Sequence, residues 1–424
     1  MDKWANDAIY TKDGSKLISI PKGLTSFKIK DGTKIIGDDA FKNSSSLRSV
    51  VIPDSVTKIE SGAFLGCSSL NSVVLPDSIT EIGYVAFCGC SSLQTVVIYD
   101  GIKEIKAKTF SRCSSLLSVI IPDSVTHIGY KAFYGCSSLH SVVLPDSITE
   151  IEYGAFEGCS SLRSVAIPRN ISKIESRAFN GCYQLILDCK SSLFKVENNI
   201  LYSVAGDVIS CWSEDKKIEL PYGVKVIMAE VFKNCSSLQS MFIPDGVTEI
   251  GKEAFNNCSS LQSVVIPDSV TVIGELAFMD CTSLQSVVIP NNVTIIEEGI
   301  FAGCTSLQSI IIPNSVTKIG SMAFSLCESL QSVIIPDSVT KIGDSAFSDC
   351  VSLQSIVIPD GVTIIEDVTF VDCSSLQEVI ISDGVTHIGY KAFSGCTSLH
   401  SVVIPKNTVV ADNAFPETTT IIRK

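Results

Sequence analysis

Cysteine, histidine and carboxylate are the side chains that could do chemistry in this chain, and their spacing limits what that chemistry is. There are 17 cysteines. Fourteen stand in one column, at 67, 90, 113, 136, 159, 182, 235, 258, 281, 304, 327, 350, 373 and 396, with a step of 23 residues broken once. Metal and disulfide chemistry draws on local pairs such as C-x-x-C. One Cys per 23 residues reads instead as an inward ladder of small hydrophobes. Stacked coils would bring successive thiols within reach of oxidation, and a reducing compartment is their easier home. Cys88, Cys189 and Cys211 lie off the column, and Cys88-Gly-Cys90 is too short for a metal site.

The four histidines belong to one duplicated phrase. His127-Ile-Gly-Tyr-Lys-Ala-Phe matches His387-Ile-Gly-Tyr-Lys-Ala-Phe, and Ser-Leu-His140 matches Ser-Leu-His400. Duplication accounts for them. No G-x-S-x-G elbow, phosphate loop or H-E-x-x-H is present. An enzyme needs a unique constellation, whereas this sequence is nearly homogeneous. Catalytic residues, metal ligands and cofactors are therefore not expected, and the chain does not read as an enzyme. Asp follows Pro at 54, 77, 123, 146, 245, 268, 337 and 360, a column that could collect Ca²⁺. Asn at 291 and 314, Arg169 and Lys406 interrupt it, which suits turn capping better. Sequons at Asn43, Asn170, Asn234, Asn257 and Asn292 read as products of repetition.

The elements that hold these columns follow from the period. Phe recurs every 23 residues from 41 to 179 and again from 232 to 393, fifteen times in all. A fixed period of this length marks a solenoid. The consensus is C-S-S-L-Q-S-V-V-I-P-D-S-V-T-x-I-G-x-x-A-F-x-x. In one unit, Leu330, Val333 and Ile335 point inward from a short strand, with Ser332 and Ile334 outward. Pro336 ends the strand, Asp337-Ser338 turns, and Val339 and Ile342 point inward from a second extended piece. Ala346 and Phe347 pack inside. One such coil buries too little to offset the ordering of its own backbone, so neighbours must share core and ladder hydrogen bonds.

The L-x-x-V-x-I strand resembles a leucine-rich repeat, and I-P-D-S-V-T-x-I-G-x-x-A-F-x-x-C resembles the BspA-like (Treponema pallidum type) leucine-rich repeat family over almost the whole chain. The Asn or Cys that ordinary leucine-rich repeats carry just after the strand is Ser338 or Gly361 here, and the Cys column follows the Phe. The resemblance implies a right-handed, mainly β solenoid with a parallel sheet on its concave face. It also implies protein interaction, since many relatives look like surface adhesins.

The period breaks between Phe179 and Phe232, where the step is 53. Tyr202 precedes Phe232 as Tyr10 precedes Phe41, and both regions read as β-hairpins with Gly14 or Gly206 in the turn. The expected organisation is an N-terminal hairpin cap over 1–34, repeats over 35–190, an irregular hairpin insertion over 191–225, repeats over 226–405, and a C-terminal cap over 406–424. The insertion reads as a structural bulge or as a binding element.

With 45 acidic against 32 basic residues, the net charge of −13 argues against nucleic acid and anionic membranes as partners. No stretch reaches 18 apolar residues, so membrane insertion is not expected. The opening Met1–Asp7 is polar and shows no apolar signal segment. Location is cytoplasmic on that reading, and cell-surface or secreted on the family resemblance.

The outward strand columns remain as the binding candidates. One holds Phe242, Val265, Val288, Ile311, Ile334, Val357, Ile380 and Val403. The other holds Ser263, Ser286, Ser309, Ser332, Ser355 and Ser401. A continuous exposed apolar face marks an interaction site, although β-propensity alone would also favour Val and Ile there. The expectation is a non-catalytic module binding a protein partner through the sheet, as an adhesin or as an intracellular scaffold, with a self-assembling structural protein as the alternative.

Overall fold

The computed structural model describes residues 7–424. Met1 to Asn6 of the polar opening lie outside the described residues. Among the described residues there is no helix: each coil is two short strands and a series of turns. The fold is a parallel β-solenoid of leucine-rich-repeat type with about 23 residues per coil. Pairing is in register with the sequence repeat: Ser118 lies opposite Ser141, Val119 opposite Val142 and Ile120 opposite Val143.

The chain divides into two compact units, Met1–Val204 with Ile209–Ser213, and Ala205–Val208 with Glu214–Lys424. In the first, Ile9–Tyr10 and Lys16–Ser19 form an antiparallel hairpin. Gly14 supplies the left-handed residue of its turn, with φ 69°. Parallel short strands follow, each ending in an inward Ile: Ile35–Ile36, Lys58–Ile59 and Glu81–Ile82. The longer strands form parallel sheets of their own, one running from Thr95–Val97 to Ile186–Cys189. In the second unit the longer strands make a ten-stranded sheet from Lys217–Glu219 to Thr420–Arg423. Its last coils shorten: His387 pairs with Val409 and Ser401 with Thr420. Phe415, one residue short of the period, still stacks on Phe393 at 5.0 Å.

Phe side chains form a stack through each unit. Successive centroids from Phe41 to Phe179 lie 4.6–5.6 Å apart with nearly parallel rings. Phe27 closes one end edge-on, at 73° to Phe41. Trp212 closes the other, at 70° to Phe179.

The turn side of each coil is held by amide bonds to the next coil. Phe324 N–H donates to the Ala346 carbonyl at 2.8 Å, and Leu326 N–H to that of Ser348 at 2.8 Å. This geometry demands two left-handed residues per coil, as at Met322 (φ 54°) and Leu326 (φ 60°). Gly62 and Gly299 meet the first demand freely, while Val368 sits there at φ 50°. A β-branched residue in this region is strained. The bond from its N–H to the Tyr390 carbonyl, 2.9 Å, holds it there. Val368→Gly is therefore expected to stabilise the protein by about 1 kcal/mol, the relief of left-handed strain outweighing the entropy of Gly. Equilibrium urea unfolding checks this; a loss of stability would show that Val368 packing dominates.

Candidate functional surface

The outward face of the longer strands is built by strict alternation. In Ser332–Ile334, Val333 is buried while Ser332 and Ile334 are exposed. Parallel, in-register pairing then lines like residues up along the sheet: Val288 lies opposite Ile311, and Ile311 opposite Ile334. The apolar column Phe242, Val265, Val288, Ile311, Ile334, Val357, Ile380 and Val403 is exposed along its length, from 42% at Val403 to 82% at Ile334. Ser286, Ser309, Ser332 and Ser355 form the exposed column beside it. Two features complete the column and were not singled out from the sequence. Ile422 extends it beyond Val403, through pairing of the final strand. Glu219, opposite Phe242, bounds its start.

The first unit carries the same surface: Val51, Val74, Val97, Ile120 and Val143 are exposed in the matching register. The L-x-x-V-x-I pattern that located the second column holds the signal for this one too. It ends where Asp188 lies opposite Ala166. Ion pairs join neighbouring short strands, where Lys58 and Glu81 pair at 2.9 Å, and Lys173 bridges Glu150 at 2.7 Å and Glu175 at 2.6 Å.

The Cys column has a role that packing alone did not suggest. Phe64 carbonyl accepts the Cys67 N–H of its own coil at 3.1 Å and the Cys90 Sγ–H of the next coil at 3.2 Å. The same bond recurs from Cys67 to Phe41 and from Cys396 to Phe370. Burial pushes the Cys67 thiol up to about 11 and that of Cys350 to about 12.

The remaining candidates are structural. His127 Nδ1 meets Thr126 Oγ1 at 2.7 Å and its Nε2 lies 3.5 Å from Glu150; His387 repeats the Thr contact. Capping by the Asp column is corrected. Among the described residues the Asp54, Asp77, Asp123, Asp146, Asp245, Asp268, Asp337 and Asp360 carboxylates make no hydrogen bond. The following Ser holds the turn instead, as when Ser338 Oγ donates to the Val316 carbonyl at 2.7 Å. Among the described residues no group of three or more His, Cys, Asp or Glu could hold a metal ion, and no helix is long and apolar enough to cross a membrane.

The insertion carries one tight turn more than the sequence suggested. Its antiparallel hairpin joins Phe194–Glu197 to Ile200–Ser203. Its turn is Asn198-Asn199, at φ 50° and 60°, and Ile200–Ser203 also neighbours Asp207–Cys211 in the same sheet across the expected Gly206 turn, φ 107°. Two left-handed residues make the type of tight turn that matches strand twist, and Asn tolerates it. Trp212 is buried, its Nε1–H donating to the Leu185 carbonyl at 3.1 Å. Asn180 Oδ1 accepts from Ser210 Oγ at 2.7 Å and Cys211 N–H at 3.2 Å. This part of the insertion finishes the core of the first unit.

The BspA type leucine-rich repeat region, as a family, matches residues 20–140, 126–206, 210–312 and 294–422. The chain is similar to a leucine-rich cell surface protein of Faecalibacterium prausnitzii, with 32% identity and a TM-score of 0.60 over 88% of this chain and 92% of that one. It shares its fold with a leucine-rich repeat protein of Eubacterium ventriosum at 20% identity, TM-score 0.52, over 84% and 89% of the two chains. It also shares it with the pneumococcal vaccine antigen PcpA at 16% identity, TM-score 0.51, over 97% and 92%. No curated protein sequence matches the chain.

The raised thiol values have a consequence for stability. A thiol kept protonated by folding contributes fully below its unfolded value, near 9, and loses that contribution as pH rises through the folded value. The urea midpoint is therefore expected to be flat from about pH 6 to 8 and to fall above about pH 9. In native protein, a thiol reagent is expected to reach the half-buried Cys88, Cys189 and Cys235 and to spare the buried thiols until unfolding. Rapid native labelling of Cys327 would contradict both expectations.

Proposed function

Because the chain belongs to the BspA-type leucine-rich repeat family, we propose that it is a non-catalytic protein-binding scaffold, acting adhesin-like at the cell surface through the outward face of its longer strands. The contact residues in this reading are Phe242, Val265, Val288, Ile311, Ile334, Val357, Ile380 and Val403, with Ser286, Ser309, Ser332 and Ser355 beside them. One observation carries it: an uninterrupted exposed column of large apolar side chains, uncharged from Phe242 to Ile422. Soluble chains rarely leave so continuous an apolar surface uncovered, and repeat proteins use such sheets for partners. The cell-surface location rests on the likeness to the F. prausnitzii protein. Within the same reading, residues 1–34 and 406–424 serve as caps, and 191–225 as a structural insertion between repeat arrays 35–190 and 226–405.

Two experiments test the proposal. The double substitution Val288→Lys/Ile334→Lys places two cations on the column without touching the core. Captured partner is expected to fall by at least about tenfold, equivalent to about 1.4 kcal/mol, with an unchanged melting transition. Equal capture by the folded variant removes this face as the site. Protease treatment of intact cells is expected to digest the protein; complete protection would refute the surface location.

A further inference from the structure

These repeats are close copies, so a surface column that changes character along the chain calls for a cause. The turn side beside the Phe column does so. In three successive coils of the first unit, segments 83–89, 106–112 and 129–135 carry Lys106, Lys108, Arg112 and Lys131 and no carboxylate. Tyrosines surround them. Lys131 Nζ lies 5.0 Å from the Tyr134 ring centroid, 5.3 Å from that of Tyr153 and 5.5 Å from that of Tyr130. Lys108 Nζ lies 5.5 Å from Tyr130, and Tyr130 stacks on Tyr153 at 5.6 Å. Glu81 holds Lys106 at 2.7 Å. Among the described residues Lys108, Arg112 and Lys131 make no ion pair, and Lys108 and Arg112 are exposed.

In five successive coils of the second unit the same columns are acidic, while Lys233, Lys252 and Lys391 stand in its other coils. Segments 274–280, 297–303, 320–326, 343–349 and 366–372 carry nine carboxylates, at Glu275, Asp280, Glu297, Glu298, Asp344, Asp349, Glu366, Asp367 and Asp372, and no Lys or Arg. Lys252 pairs with Glu275 at 2.7 Å and Lys341 with Glu366 at 3.8 Å. Burial and the neighbouring Asp372 push the Asp349 carboxyl up, the mark of like charges crowded together.

A merely solubilising surface would intersperse the signs. Here three successive coils of the first unit together hold cations and no carboxylate, between coils with Glu60 and with Glu152 and Glu157, and five of the second together hold carboxylates and no cation, on a chain of net charge −13. The two ladders also share one period, because both ride on coils spaced like sheet strands, about 4.8 Å apart. Cations from one copy therefore meet carboxylates of another in step. Tyr and Arg at the centre supply the anchors that protein contacts favour. We propose that the tyrosine–lysine face of the first unit docks on the acidic turn face of the second unit in another copy of this chain. The contact joins unlike surfaces, so each copy keeps one of each free and association continues head to tail. This surface is separate from the strand face proposed for partners.

Sedimentation velocity of the full chain tests the inference, with three proteins: wild type, Lys108→Glu/Arg112→Glu/Lys131→Glu, and Glu298→Lys/Asp344→Lys/Asp372→Lys. Wild type is expected to associate with rising concentration, at least about tenfold more weakly in about 500 mM than in about 50 mM salt. Each reversed variant alone is expected to stay monomeric, and an equimolar mixture of the two to associate again, since reversed faces complement each other. That restoration also shows that both variants are folded. A wild type that stays monomeric at low salt overturns the proposal, as does association that persists in both variants. Loss of association in Val288→Lys/Ile334→Lys would assign it to the strand face and equally overturn it. A monomeric wild type that binds an acidic peptide such as polyglutamate would give the tyrosine–lysine face to a different partner.

Discussion

The carbonyl of each core Phe must be satisfied away from water, and a coil cannot do this alone. Phe64 shows the arrangement: its N–H donates forward to Ala86, and its carbonyl accepts from Cys67 N–H and from the Cys90 thiol of the next coil. A buried carbonyl left short of partners costs more than a satisfied one gains. Every coil therefore depends on the one that follows. This dependence accounts for the Cys column and for the polar cluster of Asn180, Ser210 and buried Trp212 where the regular coils of the first unit stop.

The same dependence separates core from surface. Inward columns answer to a shared set of hydrogen bonds and stacked rings, so they scarcely vary. Outward columns meet the next coil only through exposed pairs such as Lys58 with Glu81 and Tyr130 with Tyr153, so they are freer to vary, and they divide by face. The longer strands present an uncharged apolar stripe bordered by Ser. The turn side beside the Phe stack presents charge, with a cationic, tyrosine-rich patch over three coils of the first unit and an acidic run over five coils of the second. One scaffold thus carries two surfaces of different chemistry, one suited to burying apolar area and the other to salt-sensitive pairing.

Backbone geometry adds a constraint of its own. Two left-handed positions recur in each coil, and non-Gly residues such as Met322, Leu326 and Val368 occupy them because the amide ladder holds them there. Strain at these positions is offset by bonds to the neighbouring coil, which ties local conformation to stacking. The families of related fold, from F. prausnitzii to the pneumococcal antigen, share the architecture at identities from 32% down to 16%. Such a range fits a fold held by few columns rather than by most of its residues.

Much of this was legible in the chain alone, because the 23-residue period acts as an internal alignment. The inward set of Leu330, Val333, Ile335, Val339, Ile342, Ala346 and Phe347 could be read from alternation and spacing, and so could the outward column from Phe242 to Val403. What repetition could not convey was anything that depends on partners 22 to 26 residues away. The thiol bond from Cys90 to Phe64 and the Ser338 hydroxyl that replaced Asp337 as the turn's support each required the coils to be placed against one another. Periodicity specifies which residues share a column; only stacking specifies which donor meets which acceptor, since a hydrogen bond depends on distance and angle between neighbouring coils.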